Sequence, residues 1–145
     1  MHVNSCMSKD VRITSPAQPI REAARLMKEI DAGFLPVGEN DRLIGMITDR
    51  DIAVRAVAEG KGPDTPVRDA MTSEVHYCFE DDDIETAAAQ MSELQVRRLP
   101  VLSRDKRLVG IISLSDISHA GDVNAELSAA TLSSVTTPGG EHVQR

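Results

Sequence analysis

The sequence predicts an α+β fold made of two copies of one β-α-β-β-α unit. Three observations predict it: an internal repeat, a recurring order of helical and extended patterns, and a composition typical of globular proteins. The 145-residue chain is 41% hydrophobic and 27% charged, as folded domains commonly are. A chain of this length buries about 68–70% of the surface that its unfolded form exposes, so a hydrophobic core is available.

An internal repeat divides the chain. A shift of 64 positions aligns residues 3–37 with 67–101, and eleven of these 35 pairs are identical. After a one-residue gap the offset becomes 65, and Gly45 and Asp51 then align with Gly110 and Asp116. We therefore expect two domains, 1–58 and 66–121, joined by a Gly- and Pro-rich linker at 59–65. The tail, 122–145, is rich in small residues and predicts one weak helix over 124–132 followed by disorder.

Each repeat predicts the same order of elements. A short extended piece, 11–14 or 75–79, precedes an apolar pattern at helical spacing. Two short apolar runs joined by a polar link then predict a hairpin, 34–37 with 43–48 and 99–102 with 108–113. A second helix follows, from 49 to about 58 and from 115 to about 120. The residues predicted on the apolar face of the first helix are Ile20, Ala23, Ala24, Met27 and Ile30, with Ile84, Ala87, Ala88, Met91 and Leu94 in the second repeat.

Composition and motifs argue against several classes of function. The net charge of −7 and the 2% aromatic content disfavour nucleic-acid binding, which needs basic side chains and stacking surfaces. No apolar run approaches the roughly 18 residues of a membrane span, and no secretory signal is visible, so we expect a cytoplasmic protein. Nucleotide-binding and nucleophile motifs are absent, and the histidines lack metal-ligand spacing. We predict that Cys6 and Cys78 are two free thiols, and a regulatory disulfide between them is the alternative.

The most informative segments are the two strand-to-helix junctions, GMITDRDI at 45–52 and GIISLSDI at 110–117. In each, a hydroxyl (Thr48 or Ser113) precedes an aspartate (Asp51 or Asp116) by three residues. A helix start offers unpaired N–H groups to a phosphate, and an aspartate accepts hydrogen bonds from two ribose hydroxyls. The same spacing is also that of a helix capping box, which needs no ligand. The residues alone leave both readings open.

The set of motifs resembles a tandem pair of cystathionine-β-synthase (CBS) domains, also called a Bateman module, of the small stand-alone bacterial type. The resemblance rests on VRDAMT at 67–72, LPV at 35–37, RLPV at 98–101 and the two junctions. It implies two units packed sheet to sheet by pseudo-twofold symmetry and a disc-like homodimer. It also implies that AMP, ADP, ATP, NAD or S-adenosylmethionine binds in clefts between the units, as a regulatory ligand and not as a catalytic cofactor.

Carried over by position, the resemblance assigns roles to residues of this sequence. Asp51 and Asp116 would hold ribose, while Thr48, Ser113 and Ser115 would meet ribose or phosphate. The opening strands would form the wall of the adenine site, with Val11, Ile13, Val75 and Tyr77.

Positive charge for a phosphate comes from Arg97 and Arg98, which precede the LPV motif of the second repeat. The matching positions of the first repeat are Gly33 and Phe34, so we expect one phosphate-competent site and one weaker site. A solvated basic pair is the alternative for Arg97 and Arg98, and Arg50 faces either phosphate or water.

The sequence therefore predicts a non-catalytic sensor of adenine nucleotides that acts on an effector protein in trans. The alternative is a structural or interaction dimer whose clefts hold no ligand. An enzyme is the third reading, which the absence of a nucleophile, base or metal constellation disfavours.

Overall fold

The chain divides into two compact units in a computed structural model that describes residues 1–120. The N-unit is Arg12–Val75, and the C-unit joins Met1–Val11 to the described residues from 76 to 120. The predicted tail, 122–145, with its weak helix, lies outside the described residues. The boundaries of the compact units differ from those of the sequence repeats. The segment that opens the first repeat packs with the rest of the second repeat, and the segment that opens the second repeat packs with the rest of the first.

The N-unit packs one helix and one hairpin around its core. Helix α1 (Ile20–Ile30) is followed by strands β1 (Phe34–Glu39) and β2 (Arg42–Thr48), which pair antiparallel. The two residues between these strands, Asn40 and Asp41, have φ angles of 55° and 64°, as a tight primed turn of a hairpin requires. A second helix begins with α2 (Asp49–Asp51) and continues as a π-helical stretch, Ile52–Val57. The predicted hairpin and both helices are confirmed.

The C-unit repeats this order with one more short strand. Strand β3 (Cys78–Phe79) pairs parallel with β4 (Arg98–Leu102), which pairs antiparallel with β5 (Leu108–Ser113). Helix α3 (Ile84–Leu94) lies between β3 and β4 in the chain, and α4 (Leu114–His119) follows β5. The mixed α+β architecture of two similar units is as the sequence predicts.

The opening extended pieces are much shorter than predicted. In the segment predicted at 11–14, only Thr14 pairs, as an isolated parallel bridge with Val37. In the segment predicted at 75–79, only Cys78–Phe79 is a strand. The physical reason is that the chain passes from one unit to the other within these segments, between residues 11 and 12 and between residues 75 and 76. Residues on opposite sides of these points belong to different units, which limits the ladder that either unit can form.

Each unit has its own apolar core. The cores lie between the first helix and the hairpin of each unit, where β1 and β4 are buried along most of their length. Ala24 was predicted on the apolar face of α1 but is exposed, whereas its counterpart Ala88 is fully buried. The core of the N-unit contains Ile20, Ala23, Met27, Leu35, Val37, Ile47, Ala56, Val67 and Ala70, and that of the C-unit contains Val3, Cys78, Ile84, Ala87, Ala88, Met91, Leu99, Val101, Ile112, Leu114 and Ile117.

Candidate functional site

The strand-to-helix corner of the N-unit is a capping box. The Thr48 hydroxyl oxygen accepts a hydrogen bond from the Asp51 backbone N–H at 3.0 Å, and Oδ2 of Asp51 accepts one from the Thr48 N–H at 2.9 Å. These reciprocal bonds satisfy two N–H groups that the start of a helix leaves without partners. Thr48 and Asp51 are both buried, with 5% and 6% of their surface exposed. The capping reading of the Thr-x-x-Asp spacing is therefore realised in this unit.

The corner of the C-unit has the same geometry in a more open setting. Ser113 Oγ accepts from the Asp116 N–H at 3.0 Å, and Asp116 Oδ2 accepts from the Ser113 N–H at 2.9 Å. Both residues are only partly buried, in contrast to Thr48 and Asp51. The same sequence spacing thus gives two identical caps that differ in how far solvent reaches them.

The caps leave part of each side chain uncommitted. Each aspartate uses Oδ2 for the cap and keeps Oδ1. Each hydroxyl uses a lone pair as acceptor and keeps its hydrogen, since a hydroxyl is one donor with two acceptor sites. A carboxylate oxygen and a hydroxyl hydrogen at a helix start are able to hold a sugar hydroxyl and an anionic oxygen. Capping and ligand binding are therefore chemically compatible at both corners.

The glycine of each junction motif has a packing role. A Cβ on Gly45 would lie 2.8 Å from the Thr72 carbonyl oxygen and 2.9 Å from Met71 Sδ. A Cβ on Gly110 would lie 2.5 Å from Met7 Sδ and 2.8 Å from the carbonyl oxygen of residue 8. The opening segment of the other repeat thus lies directly on each glycine. This contact explains the glycine of the motif without any ligand.

The two arginines predicted at the phosphate site are exposed at the start of β4. The Arg97 carbonyl accepts a hydrogen bond from the Leu114 N–H at 2.8 Å, which fixes the backbone beside the helix start. Arg98 pairs with Ser113 across the ladder, and directly opposed residues of an antiparallel pair have neighbouring side chains. The structure therefore places Arg98 opposite Ser113 in the strand ladder.

The matching corner of the N-unit has no arginine at these positions. Phe34 pairs with Thr48, and the Gly33 carbonyl accepts from the Asp49 N–H at 2.9 Å. A Cβ on Gly33 would lie 3.0 Å from Asp49 Oδ2, so a carboxylate occupies the space beside this glycine. The predicted inequality of the two corners thus has a structural counterpart, with an arginine opposite the hydroxyl in one and a phenylalanine in the other.

Two further predicted ligand residues lie on the helices themselves. Arg50 is exposed, and its N–H donates to Asp49 Oδ1 at 2.8 Å. Ser115 is exposed on α4, where its carbonyl accepts a hydrogen bond from Nδ1 of His119 at 2.7 Å. Both residues lie within one turn of the capping aspartate of their unit.

The predicted adenine wall is divided between the units. Val11 and Tyr77 belong to the C-unit, and Ile13 and Val75 belong to the N-unit. Ile13 is 44% exposed and its Cδ1 lies 3.1 Å from the position of a Cβ on Gly38. Their role beside an adenine stays a prediction.

Sequence reasoning did not single out Arg55. Its Nε lies 3.8 Å from Asp51 Oδ1, and its Nη1 donates to the Met71 carbonyl at 3.3 Å. The signal that would have found it is the spacing of four residues from Asp51 on a helix, which places the two side chains on one face.

The two cysteines lie in the C-unit and are free thiols. Burial raises the pKa of the Cys78 thiol to about 12 and also raises the pKa of Cys6. A thiol with a raised pKa is a poor nucleophile at neutral pH, because the thiolate is the reactive form.

The described residues contain neither a metal-binding cluster nor a helix that could span a membrane. No group of three or more His, Cys, Asp or Glu side chains in 1–120 is arranged to hold a metal ion. No helix in this range is long and apolar enough for a membrane span.

Comparison with known proteins identifies what the chain is similar to. The family model for the CBS domain matches twice, over residues 3–57 and 67–122. CBS domain-containing protein YhcV of Bacillus subtilis is 37% identical over 134 residues, which cover 92% of this chain and 94% of YhcV. Hypoxic response protein 1 of Mycobacterium tuberculosis is 38% identical over 115 residues, covering 78% of this chain and 80% of that protein. Neither relative carries the name of an enzyme.

Two solved structures show the same fold. A crystal structure of Hypoxic Response Protein I with two coordinated zinc ions has a TM-score of 0.75 at 35% identity, covering 83% of this chain and 99% of that one. The CBS domain pair of protein MJ0100, in complex with 5′-methylthioadenosine and S-adenosyl-L-methionine, has a TM-score of 0.69 at 31% identity. That match covers 82% of this chain and 94% of the MJ0100 chain.

Proposed function

Because the chain belongs to the CBS-domain family, we propose that it is a non-catalytic regulatory module that binds an adenosine-containing ligand at its strand-to-helix corners. The observation that carries the proposal is the geometry of the two caps. Each corner keeps one hydroxyl hydrogen and one carboxylate oxygen that the cap does not use beside a helix start, although this oxygen of Asp51 lies 3.8 Å from Arg55 Nε. The adenosine compounds in the MJ0100 complex support the class of ligand.

The capping aspartates are the proposed ribose ligands. Oδ1 of Asp116 or Asp51 accepts hydrogen bonds from ribose hydroxyls while Oδ2 keeps the helix start in place. The hydroxyls of Ser113 and Thr48 donate to a ribose or phosphate oxygen. Hydrogen bonds to a charged acceptor are stronger than neutral ones, at about 1.5–3 kcal/mol each. The corner therefore favours a sugar that presents two adjacent hydroxyls.

The corner of the C-unit is the proposed phosphate-competent one. Arg98 lies opposite Ser113 in the ladder, and Arg97 precedes it. Among the residues described, neither guanidinium has an ionic or hydrogen-bonding partner, so both are available to an anion. The partly exposed Ser113 and Asp116 also admit a ligand more readily than the buried pair Thr48 and Asp51. AMP, ADP, ATP and NAD are thus the ligands we expect here, with S-adenosylmethionine as the candidate without phosphate.

The module signals through ligand-dependent structure. Binding favours whichever arrangement of the chain has the higher affinity, and an effector protein in trans detects the shift. We further propose that the chain acts as a homodimer in the cytoplasm.

A thermal-shift titration of the purified chain tests the proposed function. At a ligand concentration 100 times its dissociation constant, binding to the folded state adds about 2.7 kcal/mol of stability. For a chain of this size that corresponds to a rise in Tm of roughly 5–10 °C. We expect this rise with at least one of AMP, ADP, ATP, NAD and S-adenosylmethionine. Absence of any shift across the five compounds at millimolar concentration contradicts the proposal.

A specific observation favours the second candidate, a structural or interaction dimer with unliganded corners. Both Thr/Ser-x-x-Asp motifs are complete capping boxes, and both motif glycines are explained by packing. A pull-down from lysate with and without AMP separates the two candidates, because a sensor changes its set of partners with AMP and a structural dimer does not.

A further inference from the structure

Arg55 lies on the part of the N-unit corner that the proposed function leaves for ribose. Its Nε is 3.8 Å from Asp51 Oδ1, the carboxylate oxygen that the cap does not use. The guanidinium also donates through Nη1 to the Met71 carbonyl at 3.3 Å. The Arg55 side chain is 54% exposed, whereas that of Asp51 is 8% exposed. A half-exposed cation thus lies beside the remaining acceptor of a buried carboxylate.

The C-unit has no such contact at the matching place. The repeat offset of 65 aligns Arg55 with Ala120 and Asp51 with Asp116. Alanine has no charge or donor, and within residues 1–120 no cation pairs with Asp116. One substitution between the repeats therefore decides whether the capping aspartate meets an intramolecular cation.

We propose that Arg55 is a specificity-determining residue that competes with a ligand's ribose for Asp51 Oδ1, and so lowers the adenosine affinity of the N-unit corner. The inference rests on the proposed function, in which this oxygen accepts from ribose hydroxyls. Ribose displaces the guanidinium when it binds in the N-unit, and it has no competitor of this kind at Asp116. The two corners thus differ in affinity even for a ligand without phosphate. Arg97 and Arg98 do not explain such a difference, because their proposed role is to bind phosphate.

The contact is weak enough for a ligand to displace. Ion pairs with one exposed partner, and helix pairs four residues apart, contribute only small stabilisation. We therefore expect removal of Arg55 to tighten adenosine binding at the N-unit corner two- to fivefold. This factor corresponds to about 0.4–1 kcal/mol.

Adenosine is the probe for the test, because a displaced guanidinium is free to contact a phosphate and would confuse the result with AMP. Asp116→Ala serves as the background in which binding reports on the N-unit corner. In that background, Arg55→Ala is expected to lower the Kd for adenosine two- to fivefold. Arg25→Ala is the matched control, because it removes the same charge from an exposed pair with Glu22 on α1, and its Kd should equal that of the background.

The reciprocal variant keeps the test informative if Arg55→Ala is unstable. Ala120→Arg in an Asp51→Ala background installs the competitor at the open corner and should raise the Kd by a similar factor. Ionic strength adds a readout that a purely structural role would not change. Salt screens the Arg55–Asp51 ion pair. Raising the salt concentration from about 50 to 500 mM should therefore tighten adenosine binding to Asp116→Ala but not to the double variant Asp116→Ala/Arg55→Ala.

The outcomes separate this inference from the proposed function. An unchanged or raised Kd on removal of Arg55 overturns the inference and leaves binding at Asp116 intact. Adenosine bound by the wild type but by neither Asp116→Ala protein also overturns it, since Asp51 is then no ribose ligand. If adenosine binds only to the protein that carries Arg55→Ala and not to the wild type, the inference is supported and the proposed binding by the wild type is contradicted. If adenosine binds to none of the proteins, both the inference and the proposed function are overturned.

Discussion

Asp116 carries two separable roles, and replacing it by alanine or by asparagine should change them differently. Alanine removes the acceptor of the Ser113 N–H, a bond of 2.9 Å that is half of the capping box. Loss of such a cap costs about 1 kcal/mol of the free energy of unfolding. For a chain of this size that lowers Tm by roughly 2–5 °C. Asparagine keeps a carbonyl oxygen for the cap, so we expect its loss of stability to stay below about 0.5 kcal/mol.

Ligand binding should respond in a different order. Both variants lose the charged acceptor of the ribose hydroxyls, so both should weaken AMP binding at the C-unit corner, about tenfold for Asp116→Asn and up to about 100-fold for Asp116→Ala. Urea unfolding measures the first role, and calorimetric titration with AMP measures the second. Glu93→Ala is the matched control, because it removes one exposed carboxylate from α3 of the same unit.

Two results would refute this reasoning. If Asp116→Asn binds AMP as tightly as the wild type and Glu93→Ala, the carboxylate is a cap and not a ribose ligand. If Asp116→Ala unfolds at the same urea concentration as the wild type, the capping bonds do not stabilise the helix start.

Three other predictions concern packing, titration and charge. Gly110→Ala places a Cβ 2.5 Å from Met7 Sδ and should lower the free energy of unfolding in urea by about 1–3 kcal/mol. The control Gly62→Ala, with no atom within 4 Å of its Cβ, should be neutral or slightly stabilising. Equal stability of the two variants contradicts the packing account. Burial raises the pKa of Cys78 from 9.0 to about 12, so the thiol ionises at a lower pH in the unfolded chain than in the folded one. The free energy of unfolding should therefore fall by about 1.4 kcal/mol per pH unit between pH 9 and pH 12. Cys78→Ala should remove that part of the slope, and an identical alkaline slope in both proteins would show that the thiol does not cause it. Arg98→Ala should weaken AMP binding about tenfold and leave adenosine binding unchanged, and an equal loss for both ligands would mean that the arginine does not meet phosphate.

The periodic parts of the fold were predictable from the sequence. Both hairpins and the helices α1, α3 and α4 lie close to where apolar spacing places them, because each buries apolar side chains in the core of its own unit. The second helix of the N-unit also lies where it was predicted, although Val54 and Val57 on it are exposed. The predicted second helix of the second repeat begins one residue early, at Leu114. The π-helical geometry of Ile52–Val57 has no counterpart in the apolar pattern, and nothing in the structure explains it.

The exchange of opening segments was not predictable from the repeat. An alignment of the repeats gives the length of each unit but not which copy of the opening segment packs on which hairpin. The structure answers this through contacts that are distant in sequence, such as the bridges of Met46 with Thr72 and of Ser8 with Ile111. The motif glycines signal a close approach, but the sequence does not name the approaching partner.

The candidate site was predictable in position and only partly in role. The spacing of Thr48 to Asp51 and of Ser113 to Asp116 predicts either a cap or a ligand group, and the structure shows that the cap uses only one oxygen of each aspartate. The contribution of Arg55 depends on a side-chain contact that the spacing permits but does not require.

The most direct test of the central claim is calorimetric titration of the wild type and of the double variant Asp51→Ala/Asp116→Ala with AMP and with S-adenosylmethionine. If the capping aspartates hold ribose, the wild type gives saturable heat with at least one of the two compounds, and the double variant gives none while circular dichroism shows that it is folded. Binding of equal affinity to both proteins would contradict the claim.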